Sequence, residues 1–151
     1  MPDELDPATL ERVLSQILED AAFLFTEPAP PGSPCPVPLY EATLAFTAPR
    51  PGKLTLRAGP ELGAEAAANL LGLDASEDEA KQNAGPALGE LLNMVAGLLM
   101  KEWFGTQAHC SLGLPVVVRH ATAPPALCGA MQARLMVGEQ RLDVAADLLG
   151  A

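Results

Sequence analysis

The chain has 151 residues, of which 49% are hydrophobic, 19 are acidic and 9 are basic, giving a net charge of −10. That length suits one domain over residues 1–151 with an ordinary core, and the lack of any Lys/Arg cluster speaks against nucleic acid, which is gripped through a basic footprint. No run of about eighteen apolar residues occurs, and the start, with Asp3, Glu4 and Asp6, lacks a basic flank, so the expectation is no membrane span, no signal peptide and a cytoplasmic location.

Residues 7–25 carry Leu10, Val13, Leu14, Ile17, Leu18 and Ala21 at helical spacing and are predicted to form a helix with one buried face. Thr26 to Pro38 holds six prolines and reads as a loop, partly polyproline in character. Glu41 to Ala48 alternates, with Ala42, Leu44, Phe46 and Ala48 on one side. After a Pro-Arg-Pro-Gly turn, Lys53 to Ala58 alternates again with Leu54 and Leu56 inward, so the pair predicts a hairpin with one solvated face.

Pro60 to Leu71 reads as a helix with proline at its start and Gly72 in the C-terminal cap position. Ser76 and Glu79 have the spacing of a capping box, and Glu77, Asp78 and Glu79 suit the positive end of the helix that follows. That helix is expected to run toward Trp103, kinked or restarted at Gly85-Pro86. Leu112 to Arg119, Ala130 to Val137 and Gln140 to Ala146 are predicted strands. A loop around Pro124-Pro125 separates the first from the others, and Gly138-Glu139 closes a tight hairpin between the last two.

Cys35, Cys110 and Cys128 are widely spaced and never form a CxxC pair, which reads as reduced thiols rather than a disulfide framework or zinc site. His109 adjoins Cys110, but neighbours on a strand point to opposite faces, so no metal is expected there. Ser15, Ser33, Ser76 and Ser111 have no recognisable pairing with His109 or His120 that would make a nucleophilic triad.

The chemistry-bearing stretch is Gly89-Glu90-Leu91-Leu92-Asn93-Met94-Val95-Ala96-Gly97. At 100° per residue, Leu88, Leu91, Leu92, Val95, Leu98, Leu99 and Trp103 gather into an apolar stripe, while Pro86, Glu90, Asn93, Gly97 and Lys101 fall opposite. A helical glycine costs about 1 kcal/mol relative to alanine, so Gly97 on the outward stripe invites close approach by another molecule. By periodicity alone, an outward Glu and Asn form a solvated face; the spacing permits a site without showing one.

This stretch, followed by Leu114-Pro115-Val116-Val117-Val118, resembles the signature of the CheX, CheC and FliY phosphatases of bacterial chemotaxis and flagellar switching. The family pattern is Asp or Ser, three residues, Glu, two residues, Asn, about twenty-two residues, Pro. Here Pro86 stands at the leading position and Pro115 follows Asn93 after 21 residues. The resemblance implies an α/β fold of the α+β type, with long helices packed on a largely antiparallel sheet and approximate internal twofold symmetry. It also implies homodimers joined through sheet edges, for which the late strand pair could serve.

The activity implied is hydrolysis of the aspartyl phosphate on a CheY-like phosphorylated response regulator. Asn93 would orient the attacking water and Glu90 would engage the receiver's active-site lysine, with Gly97 and Lys101 completing the partner-binding stripe. No cofactor would be bound by this chain, Mg²⁺ being supplied with the receiver. A carboxamide both donates and accepts, so it can fix a water molecule; a carboxylate there would repel the phosphoryl group by roughly 1 kcal/mol at about 4 Å even in water. Related CheC proteins carry the motif on two helices, but the first helix here reads Glu11-Arg12-Val13-Leu14, which implies a single site. The alternatives are an adaptor of the same fold that sequesters a response regulator, raised by Pro86, and a structural dimerisation module.

Overall fold

The computed structural model describes residues 6–30, 32, 35–48, 50–127 and 131–148. Helix α1 (Pro7–Ala22) starts at Asp6, whose carboxylate accepts the Ala8 amide at 2.9 Å, and it buries Leu10, Val13, Leu14 and Leu18. It stops at Ala22 rather than at residue 25 because Phe23 turns left-handed (φ 55°). The amides of Phe23 and Leu24 close back on the carbonyls of Glu19 and Leu18, and Leu24 swings into the core. The predicted loop beyond it contains a two-residue strand, β1 (Glu27–Pro28).

The expected hairpin is formed by β2 (Leu39–Ala48) and β3 (Gly52–Ala58), with Ala42, Leu44, Leu54 and Leu56 fully buried. Helix α2 spans Pro60–Leu71 as expected, and Gly72 (φ 73°) caps it by donating to the Ala68 carbonyl. The capping box is not formed. Asp74 takes both the amide and the hydroxyl of Ser76, at 2.9 and 2.7 Å, and these hydrogen bonds lower the Asp74 pKa. Short helix α3 (Asp78–Gln82) therefore begins after Glu77, and α4 (Ala84–Phe104) restarts one residue beyond Asn83. Pro86 thus falls on the third position of α4, where no intrahelical amide is needed.

The predicted strand from Leu112 to Arg119 is split into β4 (Ser111–Leu112) and β5 (Val116–His120). Leu112 lies opposite Phe46 but Val116 opposite Thr43, so one extra residue is accommodated between them. Pro115 has no amide for the ladder, and the Gly113 amide bonds the Ala45 carbonyl at 2.7 Å. Strands β6 (Met131–Val137) and β7 (Gln140–Leu148) close the chain, joined at Gly138 (φ 61°). Cys128 and Ala130, like Ser33, lie outside the described residues.

All pairings are antiparallel, in the order β1-β6-β7-β3-β2, with β4 and β5 both on the far side of β2. The order repeats about the β3/β7 contact: β1 stands to β6 and β7 as β5 stands to β2 and β3, and α1 leads into β1, β2 and β3 as α4 leads into β5, β6 and β7. This is the approximate internal twofold expected. It makes β7 an interior strand and lines part of β6 with β1, so the late strand pair is not a free edge along its length.

Helices α1, α2 and α4 contribute to one core with the inward faces of β2, β3, β6 and β7. The opposite sheet face carries a row of charge: Arg57 to Glu41 at 2.6 Å, and Arg134 and Arg141 to Asp143 at 3.2 and 2.7 Å. That face is less wet than the alternation implied. Residues 121–127, which follow β5, reach this face: Arg57 and Gln132 hold the Pro125 and Leu127 carbonyls at 2.7 and 3.0 Å, and Thr55 and Asp143 are buried.

Candidate functional site

The outward stripe of α4 lies where helical projection put it. Glu90 and Lys101 are exposed, Asn93 and Gly97 are half-buried, and Leu88, Leu91, Leu92, Val95 and Leu99 on the other side are fully buried. Neither the Glu90 carboxylate nor the Asn93 amide has a hydrogen-bond or ion-pair partner among the described residues. Asn93 therefore keeps a donor and an acceptor for a visitor, one turn from an uncommitted carboxylate. A Cβ built on Gly97 would meet nothing within 4 Å, so the fold's own packing does not ask for glycine there.

Two glycines absent from the outward stripe set the helix's position. A Cβ at Gly85 would come within 3.3 Å of both Tyr40 and Val117, and one at Gly89 within 3.1 Å of Val117 and 3.5 Å of Pro115. Spaced four apart, they give α4 a flat strip on which β5 lies directly. Pro115, inside the predicted strand from Leu112 to Arg119, packs against the residue preceding Glu90. The signal available in the sequence was the Gly85/Gly89 pair on the buried side of an apolar helix, which composition alone left unexplained.

On its other flank, α4 meets α2. The Cβ of Ala84 would stand 2.9 Å from a Cβ at Gly63, so the helices touch there. Between the same two helices lies a groove of about 350 Å³, lined by Ala67, Leu70, Ala87 and Asn83 together with the exposed Leu71, Pro86 and Glu90. The corresponding Glu11 on α1 is exposed, but Leu14, three residues on, is fully buried.

No group of three or more His, Cys, Asp or Glu side chains among the described residues is placed to hold a metal ion. His109 is exposed, and His120 lies 3.7 Å from Glu41 on β2. Cys35 and Cys110 are free thiols. No described helix is long and apolar enough to cross a membrane.

The family model for the chemotaxis phosphatase CheX matches residues 40–136, from β2 to β6 and across all of α4. The chain belongs to the CheX chemotaxis phosphatase family. The CheX fold is borne out by solved structures. A putative chemotaxis protein from Desulfovibrio vulgaris Hildenborough superposes with a TM-score of 0.74 at 15% identity, covering 98% of this chain and 99% of that one. CheX from Desulfovibrio desulfuricans gives 0.71 at 14% identity, over 93% and 97% of the two chains. CheX from Borrelia burgdorferi, solved as a complex with CheY, BeF₃ and Mg²⁺, gives 0.69 at 13% identity over 96% and 99%. No functionally curated protein matches the chain.

Proposed function

We propose that this CheX-family chain, a single domain, is a hydrolase for the aspartyl phosphate of a CheY-like receiver domain in chemotaxis or motility signalling. The observation that carries the proposal is the unpartnered Asn93 amide beside the unpartnered Glu90 carboxylate, presented outward on a helix that Gly85 and Gly89 seat firmly against β5. In the Borrelia complex, BeF₃ has the shape and charge of a phosphoryl group, which supports a phosphorylated receiver as the partner class.

An acyl phosphate is already activated, so the visiting protein has to place water in line with phosphorus. The Asn93 carbonyl oxygen accepts from that water and its amide N–H donates to a phosphoryl oxygen; water adds to phosphorus, the bond to the aspartyl oxygen breaks, and carboxylate and inorganic phosphate are released. Mg²⁺ carried by the receiver would neutralise phosphoryl charge. Glu90 pairs with the receiver's lysine, a charge-assisted contact that sets the register of the two surfaces. Gly97 allows backbone approach, and Lys101 adds a positive charge at the end of the stripe. The domain acts in the cytoplasm as a homodimer joined through the β5 edge, where Val116 and Val118 are exposed.

The test is the decay of phosphorylated CheY-type receivers with Mg²⁺, alone and with wild type, Asn93→Ala or Glu90→Ala. Wild type should accelerate decay, and Asn93→Ala should remove about a hundredfold or more of that acceleration while still binding. Binding without acceleration by wild type across a receiver panel would make the chain a sequestering adaptor; neither effect would make it a structural module.

A further inference from the structure

The groove between α2 and α4 shares Glu90 with the site, and its other walls are almost without charge. The Asn83 amide nitrogen is tied to the Glu79 carbonyl at 2.8 Å, leaving apolar Ala67, Leu70, Ala87, Pro86 and Leu71 around the single carboxylate. The fold needs neither rim residue. Pro86 sits in the first turn of α4, where any side chain fits, and Leu71, the last residue of α2, is 54% exposed.

Area points the same way. A stable protein interface covers about 800 Å² on each partner, far more than the tips of one Glu and one Asn. A partner centred on Glu90 must use the neighbouring surface, and the surface adjoining Glu90 is this groove.

We infer that the groove seats an apolar side chain of the same receiver domain whose lysine Glu90 engages, and that Pro86 and Leu71 determine which receivers are accepted. The inference rests on the phosphatase proposal above and adds a selectivity element: an apolar residue flanked by a cation on the partner. An acidic residue in that place would be desolvated against Leu70 and Ala87 and would face the Glu90 carboxylate, which discriminates against receivers that carry one.

The test uses the full chain and CheY-type receivers of differing sequence, either phosphorylated or loaded with beryllofluoride and Mg²⁺. Wild type, Leu71→Glu and Pro86→Ala are titrated, with circular dichroism melting to confirm that both variants fold. The concentration at half effect should rise about fivefold to tenfold in each variant, and the decay rate at saturation should stay near wild type. Asn93→Ala should show the opposite pattern. Acceleration by wild type with half-effect concentrations unmoved in both folded variants overturns the groove and leaves the phosphatase proposal standing. Binding without acceleration removes the phosphatase proposal, and the groove is then judged by binding alone. Neither binding nor acceleration overturns both. Light scattering adds the remaining outcome: a dimer broken by Leu71→Glu with receiver binding unchanged would put a second copy in the groove and overturn the inference.

Discussion

The α1 half and the α4 half of this molecule occupy equivalent places about the β3/β7 contact, yet only one presents a Glu-x-x-Asn pair away from the core. On α4, Glu90 is followed one turn later by Asn93, at the outer margin of the helix; on α1, Glu11 is followed by Leu14, fully inside the core. The strand contacts differ as well. Gly85 and Gly89 let β5 close directly onto α4, whereas α1 meets the approach to β1 through Ser15 and Thr26 and leaves a groove of about 580 Å³ that includes Glu11, Glu19, Asp20 and Glu27. Arg12, also on that groove, is drawn into an ion pair with Glu102 at 3.0 Å. A phosphoryl group would meet concentrated negative charge on α1, and beside Asn93 on α4 a single carboxylate, with Lys101 about three turns beyond it. A shared fold position does not confer a shared surface chemistry; one side chain turned inward is enough to remove the pair.

Attempting to make α1 resemble α4 should carry the largest cost. Leu14→Asn buries a carboxamide among Val13, Leu10 and Leu18 and should destabilise the domain by about 3 kcal/mol in urea unfolding, without creating a second site. The reverse disturbance, Gly89→Val, pushes a branched side chain into Val117 and Pro115 and should cost about 2 kcal/mol in the same assay, with loss of dephosphorylation as α4 shifts.

A milder substitution separates the two carboxylates. Glu90→Gln should raise the half-effect concentration for phosphorylated receiver about tenfold, equivalent to about 1.4 kcal/mol, with the saturated rate retained. Glu11→Gln, on the equivalent turn of α1, should leave the titration unchanged. The smallest expected effect is Gly97→Ala, where open space and better helix propensity should raise stability by up to about 1 kcal/mol. The same variant should weaken receiver binding if the partner's backbone approaches at Gly97, and a stabilised variant with unchanged binding would remove Gly97 from the docking stripe.

Much of this was legible in residue order. The Pro60 to Gly72 helix is bounded by chemistry local to its ends, and the α4 stripe follows from a 3.6-residue period that held along the chain from Pro86 to Lys101. The misjudged places are those where a local rule had a competitor. Ser76 was claimed by Asp74 before it could cap a helix, and Phe23 accepted a left-handed backbone that let Leu24 reach the core. The strand through Pro115 broke because a proline cannot complete a ladder.

What residue order determined, then, was which face of each element is apolar and where Glu90 and Asn93 stand on it, because periodicity depends only on backbone geometry within the element. Which element meets which face was decided by the tertiary structure: β5 on Gly85 and Gly89, residues 121–127 at the charged sheet face, and the α2–α4 groove beside Glu90. Such contacts join residues far apart in the chain, and their geometry depends on how closely two surfaces can approach, a property of the pair that neither segment carries alone.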